Sequence, residues 1–201
     1  MDAVRVSALG ERLAGTGWLE AVGGFAGSLR HAVSRRGAGE LLLVGTEAYE
    51  PWHLAAHLRD EAAWSDVPRL APTLLRHRVP ARAPAHLAQD LGRLTGAGRG
   101  ATVLVVAPAT AGEPLLERVQ DARRQGATVL ALEGAGPAAA GELAGLAHER
   151  LAVGTAEEEP FDLAQHLVSA AAGRPAARRS ALGRLADLAG RLTAGPAISR
   201  W

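Results

Sequence analysis

The sequence predicts a three-layer α/β sandwich of about five parallel strands, with helices on both faces and helical additions at each end. Three observations carry this. Short continuous apolar runs recur along the chain, as strands buried on both faces require. Most are followed by a segment whose apolar residues have helical spacing. Glycine or proline marks most of the boundaries.

The first 38 residues read as helical. Val6, Leu9 and Leu13 recur at helical spacing, then Leu19, Val22, Phe25 and Leu29. Gly15, Gly17, Gly23 and Gly24 fall inside this pattern and predict two helices or a kinked one. ELLLVGT (40–46) is the first strand, an unbroken apolar run ending at glycine. PWHLAAHLRDEAAW (51–64) is a helix with Pro51 suited to its first turn. PTLLRHRVPA (72–81) is a candidate second strand, and PAHLAQDLGRLTG (84–96) a helix stopped by Gly96. ATVLVVAPA (101–109) is the clearest strand. PLLERVQDARRQG (114–126) is a helix with a glycine stop, ATVLALEG (127–134) a strand, AGELAGLAHE (140–149) a short helix and RLAVGT (150–155) the last strand. PFDLAQHLVSAAAG (160–173) is a helix. RSALGRLADLAGRLTAG (179–195) places Leu182, Leu185, Leu188 and Leu192 on one helical face. The glycine-rich TGAGRGA (95–101) is a connection rather than a linker. The whole chain, 1–201, therefore reads as one domain, with a sheet core over 40–173 and a C-terminal helix and tail over 175–201.

Composition narrows the function. Hydrophobic residues make up 48% of the 201, enough for a substantial core. Lys and Arg number 22 against 21 Asp and Glu, so net charge points to neither nucleic acid nor an anionic membrane. Every basic residue among those 22 is arginine, which with heavy Ala, Gly and Leu usage suggests a high-GC bacterial genome. The absence of cysteine excludes a disulfide scaffold, a thiol nucleophile, a Cys-ligated zinc and an iron–sulfur cluster. The N-terminus lacks signal-peptide form, and no window is apolar enough to span a bilayer. The expectation is a cytoplasmic protein. No P-loop, nucleophile elbow or dinucleotide Gly-x-Gly-x-x-Gly follows a strand, so no cofactor is expected.

Three stretches hold chemistry. EAYEPWHLAAHLRDE contains Glu47, Tyr49, Glu50, Trp52, His53, His57 and Glu61 directly after the first strand. His53, His57 and Glu61 are four apart and share a helical face, a set that can bind zinc. Ala55 and Ala56 lie between the histidines, however, so this is not His-Glu-x-x-His, and a polar helix face without metal is expected. The aromatic groups there line a pocket or interface, or pack as core and rim. APATAGEP (107–114) is the turn from the clearest strand into its helix. The arginines of RPAARRSALGR (174–184), with no aromatic interleaving, read as a solvated helix start.

TAGEPLLERVQDARRQGATVLALEG followed by LAGLAHERLAVGT resembles the sugar isomerase (SIS) domain family, over roughly residues 20–172. Its layout is shared with flavodoxin-like and Rossmann-like sheets; ARRQGATVLALEG and LAHERLAV carry the closer resemblance. In that family a Gly-x-Gly-x-Ser loop and a Ser-x-Ser-Gly-x-Thr loop, at the carboxyl ends of adjacent strands where strand order reverses, hold a sugar phosphate. The first pattern falls here on Gly45, Thr46, Glu47, Ala48 and Tyr49. The second falls on Ala109, Thr110, Ala111, Gly112, Glu113 and Pro114. Only Gly45 and Gly112 survive. A methyl group supplies no donor, Pro114 removes a backbone N–H, and Glu47 and Glu113 add negative charge. Glu113 and Pro114 are also ordinary helix-start residues.

The resemblance implies ligand contacts from Gly45, Thr46, Glu47, Tyr49, His53, Thr110, Ala111, Gly112 and Glu113. It also implies a glutamate and a histidine as proton-transfer groups, here Glu61 with His166 or His148, of which His166 lies in the better region. Because the hydroxyls are lost from both loops, the expected function is a SIS-like ligand-sensing or protein-interaction module without isomerase activity, self-associating as a homodimer or tetramer. The alternative is an active phosphosugar isomerase or sugar-phosphate-binding protein.

Overall fold

A computed structural model describes residues 17–84, 88–135, 141–154 and 160–174. Among these, five strands form one sheet: β1 (Leu41–Gly45), β2 (Thr73–Leu75), β3 (Thr102–Ala107), β4 (Thr128–Ala135) and β5 (Glu149–Gly154). All pairings are parallel and the order is β2-β1-β3-β4-β5. The helices are α1 (Trp18–Ser34), α2 (Trp52–Trp64), α3 (Glu113–Arg124), α4 (Glu142–Leu146) and α5 (Pro160–Gly173).

The period of two along each strand divides the core into two sheets of contacts. Leu41, Leu43, Leu104, Val106, Leu130, Leu132, Leu151 and Val153 face α1, α2 and α5. Leu42, Val44, Val103, Val105, Val129 and Ala131 face α3, α4 and the turn around Leu94. The inner strands β1 and β3 are buried at every position, which is why they read as unbroken apolar runs. The edge strand β5 instead alternates, with Leu151 and Val153 inward. This is the three-layer parallel architecture the sequence predicts. None of the described helices is long and apolar enough to cross a membrane.

Three local expectations change. Helix α1 is continuous through Gly23 and Gly24, because Val22, Phe25, Ala26, Leu29, Ala32 and Val33 bury one face. That burial outweighs the cost of about 1 kcal/mol per interior glycine. Strand β2 stops at Leu75, so Arg76, His77 and Arg78 belong to the connection beyond it. Of the helix expected over 84–96, the described residues form a 3-10 turn, Leu91–Gly96, started by Asp90 accepting from the Gly92 N–H at 2.8 Å. Leu94 is its one buried anchor, too little apolar surface to hold an amphipathic helix. The repeat of Val6, Leu9 and Leu13 and the helix expected over 179–195 lie outside the described residues.

One charged pair is part of the sheet. Glu133 on β4 is buried, and its carboxylate accepts from Arg150 Nε on β5 at 2.6 Å.

Candidate functional site

Strand order reverses between β1 and β3, which pair Gly45 with Val106. The loops after these strands therefore leave the sheet side by side, as open α/β sheets require of a ligand site.

The first loop is a tight return. The Tyr49 N–H donates to the Thr46 carbonyl at 3.1 Å, and Trp52 N–H to the Glu50 carbonyl at 2.9 Å. Gly45 is needed for this turn: an added Cβ would overlap the Tyr49 carbonyl and meet Pro51 Cδ at 2.6 Å. Thr46 is buried. The Tyr49 ring turns toward α5, edge-on to Phe161, and its hydroxyl lies 2.8 Å from Nε2 and 3.2 Å from Oε1 of Gln165. Burial raises the pKa of that phenol; the Gln165 hydrogen bond opposes this and Asp162 adds to it.

A cleft of about 200 Å³ opens beside this loop, on the β2 side. It is lined by Gly45, Thr46, Glu47, Tyr49 and Glu50 and, from beyond β2, by Arg76, His77 and Arg78. Arg76 Nε donates to Glu50 at 2.9 Å, and Arg78 to Glu47 at 2.7 Å. His77 Nε2 lies 3.0 Å from the Gly45 carbonyl, which only accepts, so this nitrogen carries the proton. The glutamates that would repel an anion are thus matched by arginines the sequence reading placed inside a strand.

The second loop stands apart from this cleft. Thr110, Gly112 and Glu113 are exposed, Ala111 points into the core between the sheet and α3, and none of the four lines the cleft. Gly112 sits at φ −73°, open to any residue, and its carbonyl begins α3 by accepting from Leu115 and Leu116.

The two expected proton-transfer residues are not brought together. Glu61 lies nine residues into α2 and its carboxylate fills the space beside Gly173 at the end of α5. His166 is seven residues earlier on α5, roughly 10 Å along the axis. What His166 meets instead is His53 and His57, with ring centroids at 4.8 and 4.1 Å. His148 serves structure: its Nδ1 accepts the Val129 N–H at 3.0 Å.

Burial, and then His57 and His53, lower the His166 pKa to about 4, with Asp162 opposing. His57 is lowered by burial and His53, with Asp60 opposing. Both groups bind protons less readily in the folded chain than in the unfolded one, where histidine titrates near 6.5. They therefore cost nothing above about pH 6.5, where histidine is neutral in both states, and turn against folding as pH falls below it, for His166 down to about 4. The thermal midpoint in metal-free buffer is expected to drop between pH 7.5 and 5, and the drop to shrink in His166→Gln.

Comparison with known proteins adds the fold. No family profile matches the sequence, and no curated protein does. Solved structures match. A candidate sugar binding protein from Salmonella typhimurium LT2 is 17% identical, with TM-score 0.50, over 90% of this chain and 52% of that one. The sugar isomerase domain of the RpiR transcription factor from Sphaerobacter thermophilus is 15% identical, with TM-score 0.47, over 84% of this chain and 78% of that one. The Vibrio vulnificus NanR protein, solved with ManNAc-6P, is 15% identical, with TM-score 0.44, over 92% and 66%. This chain thus spans about half of the Salmonella protein. At 17% identity what is shared with the Salmonella protein is the fold alone, here five parallel strands in the order β2-β1-β3-β4-β5 between two helical layers.

Proposed function

We propose that the chain is a ligand-sensing module that holds a small, acid-bearing, sugar-derived molecule in the cleft beyond β1 and β2, and does not interconvert it. The observation that carries this reading is the placement of Arg76, His77 and Arg78 beside the first loop. Arg78 is the recruitable cation. It and Glu47 are both well exposed, so their pair is worth under about 1 kcal/mol, and a ligand carboxylate or phosphate displaces Glu47 at small cost. Arg76 is more enclosed and Glu50 fixes its orientation. These guanidinium groups take over from the missing hydroxyls of Ala109, Ala111 and Pro114. The separation of Glu61 from His166 supports the absence of isomerisation, since a base and an acid must both reach the same substrate. The designation of the Salmonella neighbour as sugar-binding agrees with the ligand class.

Self-association belongs to the same reading. Trp52 and Trp64 stand exposed on α2, and aromatic residues of this kind are enriched at interfaces. Light scattering of the chain with and without residues 175–201 tests it; a monomer in both cases would end that part of the reading.

Thermal shift against a panel of sugar phosphates and sugar acids is the direct test of the ligand. At least one is expected to stabilise the chain. Arg78→Ala should weaken it roughly tenfold, the loss of one charged hydrogen bond. Gly112→Trp should leave it unchanged. Binding abolished by Gly112→Trp and indifferent to Arg78→Ala would place the ligand in the second loop and defeat this reading. Aldose–ketose interconversion lost in Glu61→Gln or His166→Gln would favour the enzyme instead.

A further inference from the structure

We propose that His53, His57 and His166 form a binding site for a divalent transition-metal ion of the zinc class, joining α2 to α5. Their candidate ligand atoms all lie within 4.8 Å of one another. His53 Nε2 and His57 Nε2 are 3.1 Å apart, one helical turn from each other on α2. His166 arrives from a different helix, fixed in place by its neighbours Leu163, Ala164, Leu167 and Val168, all of them in the core.

Tetrahedral zinc with Zn–N of about 2.1 Å sets its ligand nitrogens about 3.4 Å apart. The His53–His57 pair has that spacing already. The third nitrogen needs a shift of at most about 1.4 Å to meet the same geometry, within reach of side-chain rotation in half-buried imidazoles.

The chemistry of the cluster favours a cation at its centre. Two Nε2 atoms at 3.1 Å can share only one proton between them. Among the described residues, these two rings have no other hydrogen-bond partner. The ligand nitrogens of all three rings lie close enough together to converge on one ion. Asp162 and Asp60 stand close enough to be felt by the rings and supply compensating charge. Trp52 lies tilted across His53 with ring centroids 5.3 Å apart, covering one side. Three imidazoles suit Zn²⁺, Co²⁺, Ni²⁺ or Cu²⁺ rather than Mg²⁺ or Ca²⁺, and leave a fourth position for water or a ligand.

The alternative is a stack of neutral imidazoles that binds nothing. Tag-free full-length chain, stripped with chelator, is titrated calorimetrically with ZnCl₂ and followed in parallel by the visible absorption of CoCl₂. The expected result is one ion per chain, a raised thermal midpoint and the intense visible bands of four-coordinate Co²⁺. His57→Ala and His166→Gln should each weaken binding by at least roughly tenfold. His31→Ala, an exposed histidine on α1, should not. Circular dichroism checks that the variants fold. If His57→Ala does not, His166→Gln and the wild-type Co²⁺ spectrum still decide. No ion bound at micromolar Zn²⁺, a six-coordinate Co²⁺ spectrum, or undiminished binding in His166→Gln would overturn the proposal.

Discussion

Gly45→Val is expected to lower the free energy of unfolding by about 3 kcal/mol, read as a shifted urea midpoint at unchanged slope. The cause is steric. Strand β1 ends at Gly45 and the chain reverses within four residues, which lays the Tyr49 carbonyl where a Cβ would stand. Pro51 closes the other side, with its Cδ 2.6 Å from the same point. Both obstacles belong to backbone or ring, so neither can rotate away, and relief requires moving the loop off the sheet. Gly112 is the control. A Cβ there meets only Pro114 Cδ at 3.8 Å, and its backbone is in an ordinary extended conformation. Gly112→Val should lie within about 0.5 kcal/mol of the parent. Equal losses at the two glycines would mean that the first loop is not under the constraint described.

Arg150→Ala is expected to cost about 3 kcal/mol at neutral pH, because it leaves the buried Glu133 carboxylate without its cation. The value sits at the low end of the range for broken buried pairs, since the Arg150 side chain reaches solvent at the sheet margin. Glu133→Gln should cost less, as an amide is cheaper to bury than an orphaned charge. The double substitution Glu133→Leu with Arg150→Leu should recover most of the loss, because two apolar groups remove the desolvation cost altogether. Chemical denaturation of the three variants checks the order. A double variant as unstable as Arg150→Ala would show that the pair contributes through shape rather than charge.

The sheet was legible in the sequence where burial is two-sided. ELLLVGT, ATVLVVAPA and ATVLALEG are continuous apolar runs because β1, β3 and β4 have helices over both faces. Legibility fails at the edge. β2 contributes only three residues, and Arg76 to Arg78 look like its continuation because their charge says nothing about where pairing stops. The region around Leu94 differs for a related reason: helical spacing is present, but within Leu91–Gly96 full burial is limited to one side chain.

The candidate site divides the same way. The position of the first loop followed from the strand before it. The cations opposite it did not, since they come from a segment about 30 residues away whose direction a single sequence leaves open. Helical spacing groups His53 with His57 and puts Glu61 on the same helix face, whereas packing of α5 on α2 brings His166 to the pair and Glu61 to Gly173. Local periodicity says which residues share a face. Which other helix covers that face is long-range information.

The hydrogen bonds between Tyr49 and Gln165 span 116 positions of chain. Their consequence concerns synthesis. Every strand except β5 can be made and paired before residue 149 exists, yet the Tyr49 hydroxyl gains its partner only after α5 has left the ribosome. The growing chain therefore carries a sheet whose α1–α2 face still lacks its third helix and whose first loop still lacks its contact with it. The proposed cleft therefore gains its Tyr49 contact only once α5 is made, so a chain stalled before residue 160 should bury most of its sheet and bind the ligand weakly.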